Sequence, residues 1–182
     1  DQPHFVSVED YLQSELTADV KHEYLGGVVY AMSGGKNRHN LVSSNVLLSL
    51  GARLRGRSCR AYNSDTKIRI RLPGHTRFYY PDASVICHPN PLDDLFQDHP
   101  VLVAEVLSDS TRRLDLGEKK DAYLQIPSLD YYLIVDPVRM SVTTHRRTEQ
   151  GFVSELGQDG QALALPTLGI EVALADFFEG LG

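Results

Sequence analysis

The stretch Val101-Leu-Val-Ala-Glu-Val-Leu107 decides how this sequence should fold. It is apolar at every position except Glu105, and such a run predicts a strand that is buried on both faces at the centre of a sheet. An unpaired ionised carboxylate in a buried strand is costly. Glu105 therefore needs either a charged partner or a shifted pKa.

A second acid opens the preceding apolar stretch, Asp82-Ala-Ser-Val-Ile-Cys87, directly after Tyr80-Pro81. If the two strands are neighbours, Asp82 and Glu105 converge at one end of the sheet. Two carboxylates in that position form an oxygen-rich site of the kind that Mg²⁺ prefers. The alternative is that Asp82 caps a turn and that Glu105 pairs with an arginine.

A lysine on the next helix is expected to point at the same place. Residues 111–126 have helical spacing, and the helix should stop before Pro127. At about 100° per residue, Lys119 lies near the middle of the apolar stripe and Lys120 at its edge. The stripe consists of Leu116, Ala122, Tyr123 and Ile126. The alternative is a surface pair of Lys119 with Asp115, four residues earlier.

The order of the patterns predicts a mixed α/β fold, with a central β-sheet flanked by helices. We expect one domain over residues 1–182, because no repeat or linker interrupts the chain. A strand–helix–strand unit spans residues 101–135. Further helices are predicted at 7–16, 37–55 and 173–178, and further strands at 24–25, 28–32, 66–72, 82–87, 141–146, 152–156 and 162–165.

Composition limits the class of protein. The 182 residues are 42% hydrophobic and 23% charged, which is typical of a globular chain. No apolar run approaches the ~20 residues of a membrane span, so no membrane association is expected. Two cysteines, Cys59 and Cys87, form neither a disulfide framework nor a zinc cluster, which favours a reducing cytoplasm. The net charge of −6 does not exclude a local basic groove.

Several segments in a fixed order carry a family resemblance. They are the N-terminal segment His22-Glu-Tyr-Leu-Gly-Gly-Val-Val-Tyr-Ala-Met-Ser33, Pro81-Asp82, Glu105-Val-Leu-Ser-Asp-Ser-Thr111, Asp115-Leu-Gly-Glu-Lys119 and Tyr131-Tyr-Leu-Ile-Val-Asp136-Pro137. Over about residues 6–178 the sequence resembles the Uma-type family of bacterial proteins classed as restriction endonucleases, long catalogued as a domain of unknown function. That family belongs to the PD-(D/E)XK nuclease superfamily.

The resemblance implies a restriction-endonuclease-like fold, with Asp82 and Glu105 as ligands of Mg²⁺ or Mn²⁺. The usual lysine of the superfamily lies two residues after the second acid, where this chain has Leu107. The resemblance places the lysine at Lys119 instead, the residue that helical phase favours independently. Asp109 stands where the family often has proline, and it adds negative charge near the site.

Two further residues match the family. Glu23 would supply a supplementary carboxylate, unless it is a surface acid beside Lys21. His39 would contact phosphate or a water on the metal, unless it is a helix cap or an exposed helical residue. Basic residues also occur in three groups that together could line a phosphate track. They are Arg53, Arg55, Arg57 and Arg60; Lys67, Arg69 and Arg71; and Arg112 with Arg113.

The predicted function is a metal-dependent endonuclease that hydrolyses phosphodiester bonds in DNA. A symmetric homodimer would suit a two-stranded substrate. One alternative is a catalytically inactive nuclease-like module that binds nucleic acid or protein. Another is a metal-dependent phosphodiesterase that acts on RNA or small nucleotides. A pocket that unites Asp82, Glu105 and Lys119 would separate the enzymes from the inactive module.

Overall fold

The computed structural model describes residues 5–158 and 160–182. The helices in this part of the chain are α1 (Val8–Glu15), α2 (Asn37–Arg53), α3 (Arg112–Leu116), α4 (Glu118–Tyr123) and α5 (Leu174–Phe177). The strands are β1 (His22–Leu25), β2 (Val28–Ala31), β3 (Arg60–Tyr62), β4 (Ile68–Leu72), β5 (His75–Tyr79), β6 (Ala83–Ile86), β7 (Pro100–Val106), β8 (Tyr131–Asp136), β9 (Ser141–Thr148), β10 (Gly151–Gln158), β11 (Ala162–Leu165) and β12 (Ile170–Ala173).

A six-stranded sheet in the order β10-β9-β8-β7-β6-β3 forms the centre of the fold. Within it, β7 pairs in parallel with β8 and antiparallel with β6. The parallel pair needs a crossover connection, which α3 and α4 supply. The predicted mixed α/β class is therefore confirmed, and so is the interior position of the strand that contains Glu105.

Helices cover both faces of this sheet. On one face, Leu102, Ala104 and Val106 of β7 belong to a core cluster shared with α2 and α5. On the other face, Val103 and Leu107 pack in a cluster that includes residues of α4. Because side chains alternate along a strand, the carboxylate of Glu105 lies on the α4 face.

A second sheet, of order β2-β1-β5-β4, brings the N-terminal part of the chain beside α4. The strands predicted at 24–25 and 28–32 are present as the antiparallel hairpin of β1 and β2. The helix α1, predicted at 7–16, begins after Ser7, whose hydroxyl caps it by accepting a hydrogen bond from the Asp10 amide. Buried Tyr11 of α1 packs against Phe78 of β5. The sheet thereby holds Glu23, on β1, near the face on which Glu105 lies.

The prediction of a single helix over residues 111–126 is wrong. Gly117, with φ −119° and ψ −102°, interrupts it and separates α3 from α4. The break changes which side chains face the sheet: Leu116, predicted in the buried stripe, is 43% exposed, whereas Asp115 is only 1% exposed. Beyond the break, Lys119, Ala122 and Tyr123 are buried as expected.

The prediction made from the cysteine count is also wrong, because a disulfide joins Cys59 to Cys87. The pairing register explains the bridge. Strand β3 was not predicted, and it pairs antiparallel with β6 so that Arg60 lies opposite Ile86. The next pair outward is the two cysteines.

Strands β5 and β12 were not predicted either.

Among the residues that the structure describes, no helix has the length and apolar character needed to cross a membrane.

Candidate active site

Asp82 is held at the start of β6 by contacts from two elements. Its Oδ2 accepts a hydrogen bond of 2.7 Å from the backbone amide of Val106, on β7. Its Oδ1 accepts one of 3.2 Å from the hydroxyl of Ser43, on α2. The β6–β7 register pairs Ala83 with Ala104, which brings Asp82 beside Glu105 at the same end of the sheet. The two acids therefore lie on neighbouring strands, as the sequence predicts.

Glu105 has both the partner and the shifted pKa that its buried strand requires. The residue is 3% exposed, and its Oε1 accepts a hydrogen bond of 3.3 Å from the hydroxyl of Tyr123. Burial raises the pKa of Glu105 well above its usual value; Lys119 opposes this shift, and Asp115 and Asp82 add to it. The alternative of an arginine partner is wrong, because the partner is a lysine.

Lys119 lies among three carboxylates. Its Nζ is 2.7 Å from Glu23 Oε1, 3.7 Å from Glu105 Oε1 and 3.7 Å from Asp115 Oδ1. Burial disfavours its charged form, but Glu105, Glu23 and Asp115 outweigh burial and raise the pKa of Lys119. The pair with Asp115 exists, but its two side chains are 6% and 2% exposed, so the surface alternative is wrong.

Glu23 and His39 also lie at this end of the sheet. Glu23 is 9% exposed and contacts Lys119, whereas Lys21 pairs with Asp65, so the surface alternative for Glu23 is wrong. His39, on the first turn of α2, has Nε2 3.3 Å from Asp82 Oδ1, and its side chain is 18% exposed. The hydrogen bond to Asp82 raises the pKa of His39 above its usual value, although burial opposes this.

A cavity of about 440 Å³ unites most of these side chains. Its acid–base residues are Asp82, Glu105, Asp115, Lys119 and His39, and Leu107 also lines it. The mouth is formed by the loop before α2 and by the loop after β7. Lys36 and Asp109 face each other across that mouth, with Nζ 2.8 Å from Oδ2. Arg38 lies on the same rim.

Asp115 is the acidic residue of this cavity that sequence reasoning missed as a site residue. The only signal was its spacing of four residues before Lys119, which a continuous exposed helix explained equally well. In the structure, burial raises the pKa of Asp115, although Lys119 and a hydrogen bond from Thr111 oppose the shift. Its backbone carbonyl accepts a hydrogen bond of 3.0 Å from the hydroxyl of Tyr132.

The predicted basic groups do not form a free phosphate track. Most of their members bind partners within the chain. Arg53 pairs with Asp176, Arg69 with Asp98 and Arg112 with Asp136, Arg57 donates to the Leu168 carbonyl, and buried Lys67 donates to the Tyr80 hydroxyl. The cations that line the cavity and its rim are instead Lys36, Arg38 and Lys119.

The donor atoms suit a hard divalent cation, although the described residues hold no group of three or more His, Cys, Asp or Glu side chains arranged around a metal position. Mg²⁺ commonly uses one or two protein carboxylates together with waters and substrate oxygens, so Asp82 and Glu105 are a sufficient pair. Two buried carboxylate oxygens of the site, Glu23 Oε1 and Asp115 Oδ1, have no hydrogen-bond partner within the described part of the chain, although Glu23 Oε1 makes a close ion-pair contact with Lys119. The acids therefore fit such an ion.

The fold, with its mixed sheet flanked by helices and two acids on adjacent strands, defines a protein of the restriction-endonuclease-like class. The chain belongs to the Uma2 family, described as "Putative restriction endonuclease", whose sequence model matches residues 8–175. The resemblance seen in the sequence is thus confirmed.

Two curated relatives come from Synechocystis sp. strain PCC 6803. The uncharacterized protein slr1290 is 34% identical over 178 residues, 97% of this chain and 93% of the relative. The uncharacterized protein sll1609 is 31% identical over 134 residues, 72% of this chain and 75% of the relative.

A solved structure from Anabaena variabilis ATCC 29413, described as a "putative nuclease belonging to DUF820", shares the fold. It aligns with a TM-score of 0.72 at 17% identity, covering 92% of this chain and 96% of the other.

Proposed function

We propose that this protein is a metal-dependent endonuclease that hydrolyses phosphodiester bonds in DNA. The observation that carries the proposal is the position of Asp82 and Glu105 on paired strands, in one cavity with the buried ammonium of Lys119. Membership of a family described as restriction endonucleases supports the same conclusion. Leu107, at the usual lysine position, does not argue against it, because Lys119 supplies the cation from the opposite helix.

Asp82 and Glu105 would hold Mg²⁺ or Mn²⁺. A divalent cation supplies Lewis acidity, which polarises a phosphate and lowers the pKa of a coordinated water. The hydrogen bonds that Val106 and Ser43 donate to Asp82 fix this carboxylate, so little reorganisation is needed when the ion binds. Tyr123 restrains Glu105 in the same way.

Lys119 would stabilise the negative charge that develops on the phosphate. Its raised pKa keeps the ammonium protonated throughout the physiological range, and its burial strengthens each electrostatic contact that it makes. Glu23, only 2.7 Å from Nζ, positions that ammonium. His39, hydrogen-bonded to Asp82, would donate to a phosphate oxygen or orient a water.

DNA is the proposed substrate because Lys36 and Arg38 lie at the mouth, where a phosphate backbone would enter. Their present partners, Asp109 and the Pro137 carbonyl, would be exchanged for phosphate oxygens. A homodimer would present two such cavities to the two strands of a duplex. The cytoplasm is the proposed location, and it rests on this substrate alone, since the disulfide between Cys59 and Cys87 removes the argument from cysteine content.

The test is incubation of the purified full chain with supercoiled plasmid, linear duplex, single-stranded DNA and RNA, in Mg²⁺, Mn²⁺ or chelator. We expect nicked and linear plasmid with either metal and intact plasmid with chelator. Cleavage of RNA alone would favour the phosphodiesterase alternative. Binding of duplex without cleavage under every condition would favour the inactive module and contradict the proposal.

A further inference from the structure

We propose that Asp115 is a third carboxylate of the metal site, which holds the divalent cation assigned to Asp82 and Glu105 through one coordinated water, an inference that rests on the proposed function. Its side chain is 2% exposed and lines the same cavity as those two acids. Its Oδ1 atom has no hydrogen-bond partner in the part of the chain that the structure describes.

A buried carboxylate oxygen without a donor needs an explanation, because folded proteins pair nearly all such atoms and a bound ion is one way to satisfy them. Lys119 is the nearest cation, but its Nζ is 3.7 Å from Asp115 Oδ1, beyond the usual hydrogen-bond distance. The same Nζ is 2.7 Å from Glu23 Oε1. Lys119 is thus committed mainly to Glu23. The Asp115 carboxylate also accepts a hydrogen bond from Thr111, so Oδ1 is its unpaired oxygen and remains available to a second cation.

Glu105 and Asp115 lie at the same distance from the ammonium of Lys119. Its Oε1 is also 3.7 Å from Nζ, so the two oxygens are separated by no more than twice that distance. This span is one that a hydrated Mg²⁺ ion can bridge, since the ion keeps several waters and reaches carboxylates directly or through them. Glu23, Glu105 and Asp115 contact the single ammonium of Lys119, and Asp82 contacts His39. Where more of these four acids are ionised than the two basic side chains balance, the remaining negative charge favours an added cation.

The test is calorimetric titration of Mn²⁺ into the metal-free full chain, which needs no substrate and no turnover. We expect Asp115→Asn to weaken Mn²⁺ binding by about tenfold or more, the loss that even outer partners of a metal site cause. Asp121→Asn is the matched control, because this acid is 73% exposed on the adjoining helix, and it should bind like wild type. Asp82→Asn should lose binding as well.

Asp115→Asn is also made in a Lys119→Met variant. This comparison shows whether Asp115 acts on the metal itself or only through its contact with Lys119. Lys119→Met removes the competing ammonium and should keep or tighten Mn²⁺ binding. If Asp115 acts on the metal itself, Asp115→Asn still weakens binding by about tenfold in that background. Equal binding by Lys119→Met with and without Asp115→Asn would overturn the inference.

The outcomes distinguish this inference from the proposed function. Wild-type affinity in Asp115→Asn together with lost affinity in Asp82→Asn contradicts the role of Asp115 alone. Absence of Mn²⁺ binding by the wild-type chain contradicts both the metal-dependent function and the inference. Each variant is first checked by circular dichroism and thermal melting in chelator. Asp115→Asn alone leaves the charge of Lys119 with one acid fewer to balance it, which could prevent folding. In that case the comparison of Lys119→Met with the Lys119→Met, Asp115→Asn double variant still tests the inference.

Discussion

Lys119 Nζ lies 2.7 Å from Glu23 Oε1, and this contact joins α4 to the N-terminal hairpin over the central strand. The hairpin was expected to supply at most a supplementary carboxylate. It also fixes the position of Lys119, the residue that we propose takes the role of the usual lysine of the superfamily. The ammonium is buried and stays charged because three acids surround it.

Lys119→Ala should lower the rate of DNA cleavage by about 10²–10³, the loss typical of removing one group that stabilises transition-state charge. Lys120→Ala is the matched control, because the side chain of Lys120 is 28% exposed and its partner is exposed Asp121. Initial rates on supercoiled plasmid in Mg²⁺ measure both. An equal loss in the two variants would show that Lys119 has no special place in the site.

The same substitution should destabilise the protein, because it leaves three buried carboxylates without their cation. Breaking a buried ion pair by removing one partner typically costs about 3–5 kcal/mol. Rates for Lys119→Ala are therefore compared at a temperature where thermal melting shows the variant to be fully folded.

Glu105→Gln should leave the free energy of unfolding in chelator unchanged or raise it at neutral pH. The pKa of Glu105 is raised by burial, with Lys119 opposing and Asp115 adding, so the folded state holds this proton more tightly than the unfolded state. Its contribution to stability is therefore fully present below the unfolded pKa of about 4.3 and is lost as pH rises through the folded pKa.

Urea unfolding of wild type and Glu105→Gln between pH 4 and pH 8 in chelator tests the direction in which the difference in unfolding free energy changes with pH. The wild type should lose stability relative to Glu105→Gln as pH rises. A variant that is several kcal/mol less stable at pH 7 would instead make Glu105 a structural ion-pair residue. Glu23 and Asp115 remain in the variant to pair with Lys119.

Divalent metal should stabilise the wild-type protein. At about 100 times its dissociation constant, a ligand of the folded state adds about 2.7 kcal/mol. For a chain of this size, that gain corresponds to a rise of roughly 5–10 °C in Tm. Thermal melting with Mg²⁺, Mn²⁺ and chelator at fixed ionic strength measures it. Glu105→Gln should lose most of the rise; an equal rise in both proteins would place the ion elsewhere.

Asp109→Ala should strengthen DNA binding in chelator by a few fold. Asp109 pairs with Lys36 across the mouth of the cavity, and both side chains are more than 80% exposed, so substrate phosphate must compete with this carboxylate. Anisotropy of a labelled duplex, measured over a range of salt, should show tighter binding and a log–log salt slope that is steeper by up to about one. Asp93→Ala, an exposed acid on the loop before β7, is the control. Unchanged affinity in Asp109→Ala would mean that Lys36 does not contact phosphate.

The sequence was sufficient to locate the central strand and the side chains of Asp82, Glu105 and Lys119. An acid in a buried apolar strand is conspicuous, and a helical phase selects one lysine of two. Asp115 was not recognised, because the break at Gly117 cannot be read from helical spacing. The disulfide was not predicted because it depends on the pairing of β3 with β6, and β3 has only three residues and no clear alternation.

The basic stripe on β4 shows a different limit of pattern reading. Arg69 and Arg71 do alternate along β4, and Lys67 directly precedes this strand, but the partner of Arg69 is Asp98, from a loop far along the chain. Lys67 turns inward to Tyr80. Charge patterns reveal which residues share a face, and only the tertiary fold determines whether that face meets solvent.

Plasmid cleavage by Asp82→Asn tests the proposed metal-dependent nuclease site, with Asp65→Asn, an exposed acid outside the cavity lining, as the control. The amide keeps the shape of the carboxylate but removes its charge, so the protein should remain folded. We expect cleavage by wild type and Asp65→Asn in Mg²⁺ or Mn²⁺, and none by Asp82→Asn. Cleavage by folded, nuclease-free Asp82→Asn at the wild-type rate would contradict the proposed site.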